Sequence, residues 1–479
     1  MRYHGRNAVV LGLGITGLSL VRHLVRHGAR VRVADTRVDP PNAEALRRDF
    51  SGVPLETGPL TSRTFEGADL VAISPGVAKD QPSIEQAVSE GAELAGDVEL
   101  FARALPAGQK VLAITGTNGK TTVTALTGAL TRAAGLRTVV AGNIGDAVLD
   151  ALARHESGEP FPDVFVLELS SYQLETTDTL APVAATVLNL SANHMDRYGG
   201  LADYAAAKAR IFARASVQVL NRDDAIVRLM RLPGRTVQTF GAGVPHSEEE
   251  WGVVVRDADA WLARGGELLT SAARLSLVGA HNVQNALAAL ALASSVANVD
   301  ARMLAALAAF APLPHRMEHV GDVGGVRFIN DSKGTTVAAT QVALDGLAPS
   351  PALSGTLSPL AGRGQGEGGP RIVLIAGGDG KGQSFAPLRA SVERSCGAVL
   401  LIGRDAPLIE RALAGLRVPV ETVGTLDAAV ARALALAQPG DTVLLSPACA
   451  SLDQFRNYEA RGDRFRALVS AHMAEPADA

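Results

Sequence analysis

The chain has 479 residues, 47% of them hydrophobic, enough for about two to four domains each with its own core. A formal net charge of −4 supplies no basic field, which disfavours nucleic acid and anionic membranes as partners and leaves phosphates to loops and single cations. No apolar run reaches the ~18 residues of a bilayer span, and none of signal-peptide character opens the chain. The two cysteines, Cys396 and Cys449, lack metal-ligand spacing, so a reduced, cytoplasmic setting is expected.

Residues 1–106 predict a first unit. A strand over 7–11 leads into Gly12-Leu13-Gly14-Ile15-Thr16-Gly17 and a helix ending near Gly28. A second strand from Arg30 ends in Asp35, and a third over 69–73 runs into Ser74-Pro75-Gly76. Alternation of this kind predicts a parallel, doubly wound sheet. The glycine spacing with Asp35 fits an NAD site. It also fits a UDP-linked ligand, which likewise presents a pyrophosphate and a ribose and which the phosphate loop downstream favours, and it fits close strand–helix packing without any ligand.

Residues 107–312 predict a second unit, with strands over 138–141, 164–169 and 185–190 and an Ala-rich helix from Asn282 onward. It opens on the apolar run 111–113, then Ile114-Thr115-Gly116-Thr117-Asn118-Gly119-Lys120-Thr121-Thr122, then a helix over 123–132. A strand, a glycine turn and a Lys-Thr helix start surround a nucleotide triphosphate with backbone N–H groups and a positive helix end. Lys120 would neutralise the β- and γ-phosphates and Thr121 would hold Mg²⁺. Ile114 stands where the general phosphate-loop pattern has glycine, which leaves the shorter form Gly-Thr-Asn-Gly-Lys-Thr.

Glu168 ends one predicted strand, where an unpaired buried carboxylate is costly and a Mg²⁺ ligand is the expected role. His194 follows the next strand, on the side where ligands gather in open α/β sheets. Lys208 lies among small residues of a helix; it would bind metal only after carbamylation by CO₂, and a solvent-facing lysine is the plain alternative. Residues 313–479 repeat the α/β rhythm with strands over 327–330, 371–376, 398–402 and 442–446. The Gly/Pro/Ser-rich stretch 349–370 reads as a flexible surface insertion. Ser451-x-x-Gln454 fits a helix capping box.

Taken in order, these elements resemble the bacterial Mur ligases, in the branch that adds D-glutamate. The resemblance rests on Gly12–Gly17, Asp35-Thr36-Arg37, Ser74-Pro75-Gly76, Gly116–Thr122, Gly142-Asn143-Ile144-Gly145, and Glu168 through Glu175. It continues in His194 through Tyr198, Asn282 with Asn285, Pro314-His315-Arg316, Asn330-Asp331-Ser332-Lys333, and Ser446 through Phe455. It implies an α/β fold of three domains: Rossmann-like, central P-loop ATPase-type, and C-terminal Rossmann-like. ATP, two Mg²⁺ ions, UDP-N-acetylmuramoyl-L-alanine and D-glutamate are the implied ligands, and a monomer is expected.

By resemblance, ATP would meet Gly116, Thr117, Asn118, Gly119, Lys120, Thr121 and Thr122, with Asn282 and Asn285 near adenine and Arg316 and Asp331 clamping. Thr121, Glu168, His194 and carbamylated Lys208 would carry the metals, with Lys120, Glu168, His194 and Lys208 catalytic. Gly14, Ile15, Thr16, Asp35, Thr36, Arg37, Ser74, Gly76, Asn143 and His194 would hold the UDP substrate. Lys333, Lys381, Ser451, Leu452 and Tyr458 would form the D-glutamate pocket. Thr336 and Tyr458 depart from the asparagine and phenylalanine usual there. The rival readings are a folylpolyglutamate synthase, an NAD oxidoreductase fused to an ATPase, and a nucleotide-gated binding protein.

Overall fold

The computed structural model describes residues 2–195, 197–277, 279–347 and 371–474. Asp196 and the 349–370 stretch read as an insertion lie outside the described residues. The chain divides into two compact units, Met1–Phe240 with Ala288–Met303, and Gly241–Leu287 with Leu304–Ala479. The fold is α/β with three Rossmann-type or P-loop-type sheets, as the alternation of elements leads one to expect.

In the first unit, strands β1 (Asn7–Leu11), β2 (Arg30–Asp35), β3 (Leu55–Thr57), β4 (Leu70–Ile73) and β5 (Glu93–Gly96) form a parallel sheet of order β3-β2-β1-β4-β5. The order reverses between β1 and β4, so Gly12–Gly17 and Ser74–Gly76 flank the crevice where doubly wound sheets take ligands. Gly17 has a packing role. A Cβ there would lie 1.8 Å from the Gly12 carbonyl oxygen, so the helix Ile15–Arg26 approaches the turn more closely than any side chain permits. Gly17→Ala is expected to destabilise the unit by about 3 kcal/mol or more, the upper end of overpacking penalties, measurable by urea denaturation.

A second sheet of the same unit holds β6 (Lys110–Thr115), β7 (Thr138–Gly142), β8 (Val164–Glu168), β9 (Ala184–Val187), β10 (Val217–Asn221) and β11 (Thr236–Phe240). These run parallel in the order β11-β10-β9-β6-β8-β7. β6 and β8 are buried on both faces, which is why they read as apolar runs without alternation. One continuous core joins the two sheets, and the rings of Phe101 and Phe165 meet edge to face at 5.2 Å. The helix Asp97–Ala104 fixes this junction: Asp97 accepts from Gln173 Nε2 at 3.0 Å, and Glu99 accepts the Asp178 and Thr179 backbone N–H groups.

The second unit contains an antiparallel meander, β12 (Glu250–Arg256), β13 (Asp259–Arg264) and β14 (Glu267–Ser271). It also contains β15 (Glu318–Val323), β16 (Val326–Asn330), β17 (Ile372–Gly377), β18 (Cys396–Ile402), β19 (Val420–Gly424) and β20 (Thr442–Leu445), in the order β15-β16-β20-β17-β18-β19. Among the described residues, only β15 is antiparallel in this sheet. The capping-box reading of Ser451 fails. Residues 451–457 form turns, the Gln454 amide donates to the Gly424 carbonyl, and the next helix begins at Tyr458. Thr336, the unusual residue, accepts the Ala339 N–H at 3.3 Å and so caps the helix Val337–Leu347.

Candidate functional site

β6 delivers the loop Gly116–Gly119 to the helix Lys120–Ala133. Gly116 has φ 152°, and a Cβ there would meet Leu188 Cβ at 3.0 Å, so the loop packs flush on the end of β9. Asn189 zips the two segments together: its Oδ1 accepts the Asn118 N–H at 2.8 Å and its Nδ2 donates to the Asn118 carbonyl at 3.1 Å. The Thr117 N–H donates to the Asn189 carbonyl, and the Thr117 hydroxyl accepts the Ser191 N–H. Lys120 Nζ donates to the Gly116 and Thr117 carbonyls at 2.9 and 2.8 Å, which draws the ammonium across the loop. Thr121 and Thr122 follow it in the first helical turn.

β8, paired with β6 through Ile114 and Glu168, places Glu168 beside that loop. The carboxylate is 2% exposed. Oε1 accepts from Asn143 Nδ2 at 2.8 Å, while Oε2 is buried without a hydrogen-bond partner. A buried anionic oxygen left in this state is expensive unless a cation meets it. Asn143, expected at the UDP substrate, is thus a direct partner of Glu168.

Lys208, on the helix Leu201–Ala209, is 1% exposed and so is no solvent-facing lysine. Its Nζ donates to Thr115 Oγ1 at 3.1 Å and sits 4.7 Å from the Tyr204 ring centre. Burial, and then the positive charge of Lys120, push its pKa well below that of a free lysine, with Glu168 pulling the other way. Those two influences place Lys120, Glu168 and Lys208 in one electrostatic neighbourhood. His194 has φ 57°, a left-handed conformation that costs a non-glycine residue about 1–3 kcal/mol. Its exposed ring lies 5.1 Å from Tyr172 and 6.3 Å from Tyr204. Tyr204 therefore touches both His194 and Lys208.

At the crevice of the first sheet, Gly14 caps the helix Ile15–Arg26, and Ile15 is 75% exposed. Thr36, Arg37 and Gly76 are exposed, whereas Ser74 is buried with its hydroxyl donating to the Gly12 carbonyl. Asp35 faces inward, accepting from the Leu13 N–H at 2.7 Å and from Arg37 Nε and Nη2 at 2.9 and 2.7 Å. Burial alone would raise its pKa, but these donors outweigh it and hold the carboxyl at about 2. Asp35 thus braces the glycine turn and aims Arg37. A second network, in which Glu175 accepts from Tyr198 at 2.6 Å and Arg197 at 2.9 Å, reaches the Val77 carbonyl through Arg197.

In the second unit, Asn282 and Asn285 are joined by an Nδ2–Oδ1 bond of 2.9 Å. Arg316 is half-buried between His315 (φ 62°) and Met317 (φ 46°), two left-handed residues that hold it in a constrained turn. Asp331 accepts from the Met317 N–H at 3.3 Å and the Ser446 hydroxyl at 2.8 Å. Burial raises its pKa to about 7, against the pull of Ser446, Met317 and Arg316. Because the folded pKa lies above the ordinary 3.8, its favourable contribution to stability is complete below that value and is lost as pH rises through about 7. Asp331→Asn is expected to flatten the fall in unfolding free energy between pH 4 and 8 by roughly 2–4 kcal/mol, read from urea titrations at each pH.

Lys333 Nζ stands 3.7 Å over the Tyr458 ring, so the tyrosine found in place of phenylalanine forms a cation–π platform. Lys381 is exposed with φ 50°, Ser451 is buried, and Leu452 is 63% exposed. Arg461 escaped notice in the sequence. It is buried, donating to the Ser332 hydroxyl and carbonyl and to the Cys449 carbonyl at 2.9–3.1 Å, and so ties Lys333's neighbour to the Pro447–Ser451 turn. A lone arginine inside a helix gives no sequence signal of such a role. Asn189 and Tyr204 were equally silent, although an asparagine at a strand end beside a phosphate loop is a usable clue.

The sequence matches the Mur ligase MurD-like N-terminal domain over residues 6–96, the Mur ligase middle domain over 114–293, and the Mur ligase glutamate ligase domain over 315–449. It is 50% identical over 465 residues to a UDP-N-acetylmuramoylalanine–D-glutamate ligase from Methylobacillus flagellatus, covering 97% of each chain. A protein of the same name from Nitrosomonas europaea is 46% identical over 477 residues, covering 98% of this chain and 97% of that one. Among solved structures, UDP-N-acetylmuramate-alanine ligase from Thermotoga maritima shares the fold, with TM-score 0.57, 19% identity, and coverage of 97% of this chain and 99% of that one. So does MurF from Acinetobacter baumannii, with TM-score 0.58, 17% identity, and coverage of 99% and 92%. With three family domains matched in order and relatives of about half identity along nearly its whole length, the chain belongs to the Mur ligase family.

Proposed function

We propose that this chain is an ATP-dependent amide ligase that joins D-glutamate to UDP-N-acetylmuramoyl-L-alanine in cytoplasmic peptidoglycan precursor synthesis. The observation that carries the chemistry is the grouping of Lys120, a partnerless Glu168 oxygen and a buried Lys208 around one phosphate loop. The names and identities of the relatives support the choice of D-glutamate. Both cysteines are free and buried, which suits a reducing compartment. Among the described residues no helix is long and apolar enough to cross a membrane.

The donor set fits Mg²⁺. Glu168 Oε2 is an unmet hard oxygen, and the family resemblance pairs the Thr121 hydroxyl with it as a ligand. Thr121 and Glu168 would hold one ion, and His194 and Lys208 a second. Lys208 serves this role after its neutral Nζ attacks CO₂ and releases a proton, giving a carbamate. Bound magnesium would neutralise phosphate charge.

In our reading, the L-alanine carboxylate attacks the γ-phosphorus of ATP, ADP leaves, and an acyl phosphate forms. The D-glutamate amine then adds to the acyl carbon, loses a proton, and expels phosphate as the amide forms. Lys120 and the loop N–H groups hold the charge that moves onto the phosphate oxygens. Arg316, Asp331, Asn282 and Asn285 contribute to ATP binding. The exposed crevice residues Gly14, Ile15, Thr16, Thr36, Arg37 and Gly76 take the UDP end, with Asp35 and Ser74 bracing them. Lys333, Lys381, Ser451, Leu452 and Tyr458 receive D-glutamate.

Carboxylate-¹⁸O-labelled substrate tests this route. One labelled oxygen is expected to appear in the released phosphate, and unlabelled phosphate would overturn the acyl-phosphate step.

A further inference from the structure

The first helix carries a second cluster of ligating side chains. His23 lies on the helix Ile15–Arg26, is 1% exposed, and has no hydrogen-bond partner at either ring nitrogen. His27, one turn later at the helix C-cap, places its ring centre 4.3 Å from that of His23. Glu156 ends the facing helix Val148–Glu156. One donor atom from each of the three lies within 4.8 Å of both others.

The protonation geometry is informative. His27 Nδ1 lies 2.9 Å from the His23 carbonyl oxygen, which can only accept, so Nδ1 carries a proton. In neutral imidazole that leaves a lone pair on Nε2, and Nε2 faces Glu156 Oε1 at 3.3 Å. Two acceptors in contact require a proton or a cation between them. A proton on Nε2 would answer for His27 but would leave the buried His23 ring unpartnered. A metal ion answers for all three. Tetrahedral zinc with bonds of about 2.0–2.1 Å has ligand–ligand edges of about 3.3–3.4 Å, the separation found between His27 and Glu156. The Nδ1–H···O=C bond is also the usual outer support of a metal-bound histidine.

Burial, followed by the charges of His27, Arg26 and Arg2, lowers the pKa of His23 to about 3, which keeps its lone pair available. Arg26 competes for Glu156, but it engages Oε2 at 3.3 Å and leaves Oε1 to His27. The C-terminal end of a helix also favours a cation.

We propose that His23, His27 and Glu156 form a binding site for a borderline transition-metal ion of the Zn²⁺ class, with water completing the coordination. Two imidazoles and one carboxylate favour such an ion over Mg²⁺, which prefers an all-oxygen shell. His23 and His27 lie 9 and 13 residues beyond Gly14 in the sequence, roughly 13–20 Å along a helix from the turn, so the site is separate from the ligand crevice. The bound ion staples the first helix of the N-terminal sheet to the helix between β7 and β8, beside the Arg22–Asp150 ion pair at 3.1 Å.

The test uses metal-stripped full-length protein titrated with Co²⁺ in excess Mg²⁺, read by the intense visible absorption of tetrahedral cobalt. One equivalent is expected to give the band, and Zn²⁺ is expected to displace it. His27→Gln and Glu156→Gln should each weaken binding by more than the ~10–100-fold seen when outer supports of a metal site are lost. His194→Ala should leave the band unchanged. Zn²⁺ should raise the Tm of the wild type and not that of His27→Gln, which separates metal binding from a folding defect. Absence of a tetrahedral band, its persistence in both cluster variants, or its loss in His194→Ala would each overturn the proposal.

Discussion

Lys120→Ala is expected to lower ADP formation by about 10³-fold or more, the range seen when a group aimed at developing phosphoryl charge is removed. The ammonium already lies across its own loop, bonded to two carbonyls of residues 116 and 117. These bonds hold the ammonium at the phosphate loop, and in our reading they are exchanged for phosphate oxygens when ATP binds. The loop's shape depends on Gly116 against Leu188 and on the Asn189 amide, so losing the lysine side chain should leave the fold intact. A thermal melt of the variant checks that point. Near-normal ADP formation with an unchanged melt would remove Lys120 from the chemistry.

The second large effect is at Lys208. Lys208→Met is expected to abolish ligation, by about 10³-fold or more on the same electrostatic argument, while leaving stability unchanged or raised. Replacing a fully buried amine with an apolar chain of similar length removes the cost of burying a polar nitrogen, so stability and activity should move independently. The carbamate itself is visible by ¹³C NMR with ¹³CO₂: a carbamate resonance should appear in the wild type and be absent in the methionine variant. Burial and the charge of Lys120 lower the pKa of Lys208, which favours the neutral, nucleophilic amine that CO₂ requires. Acidification should therefore deplete the carbamate as the amine protonates. Full activity in the methionine variant would return Lys208 to a structural role.

Much of this arrangement is legible in the residues. β1 spans the expected 7–11, and β6, β8, β16 and β20 lie within a residue or two of the apolar runs that announced them. Parallel strands buried on both faces are uninterrupted Val/Leu/Ile segments, and their ends bear polar residues that the sheet order collects at one edge. The meander β12–β14 was harder to see. Its first hairpin turns at Asp257 and Ala258, both with positive φ, where no Asn-Gly or Asp-Gly pair marks the reversal. The second hairpin turns at Gly265-Gly266.

Side-chain roles depend on packing that spacing does not encode. The spacing of Asp35 suits a ribose contact, yet its carboxylate turns inward to Leu13 and Arg37. Asn143 pairs with Glu168, and the Gln173 amide locks onto Asp97 across the junction of two sheets. Lys208 looked equally at home in solvent. Only its burial beside Lys120, Thr115 and Tyr204 shows a lysine held where an ammonium is disfavoured.

The most direct test of the proposed activity is phosphate release from ATP and Mg²⁺ with UDP-N-acetylmuramoyl-L-alanine and, in separate reactions, D-glutamate, L-glutamate, L-alanine and meso-diaminopimelate. Release that depends on D-glutamate alone is the predicted result, and it would establish nucleotide, acceptor and stereochemistry together. Release driven by another of these amino acids, or by none, would contradict the assignment.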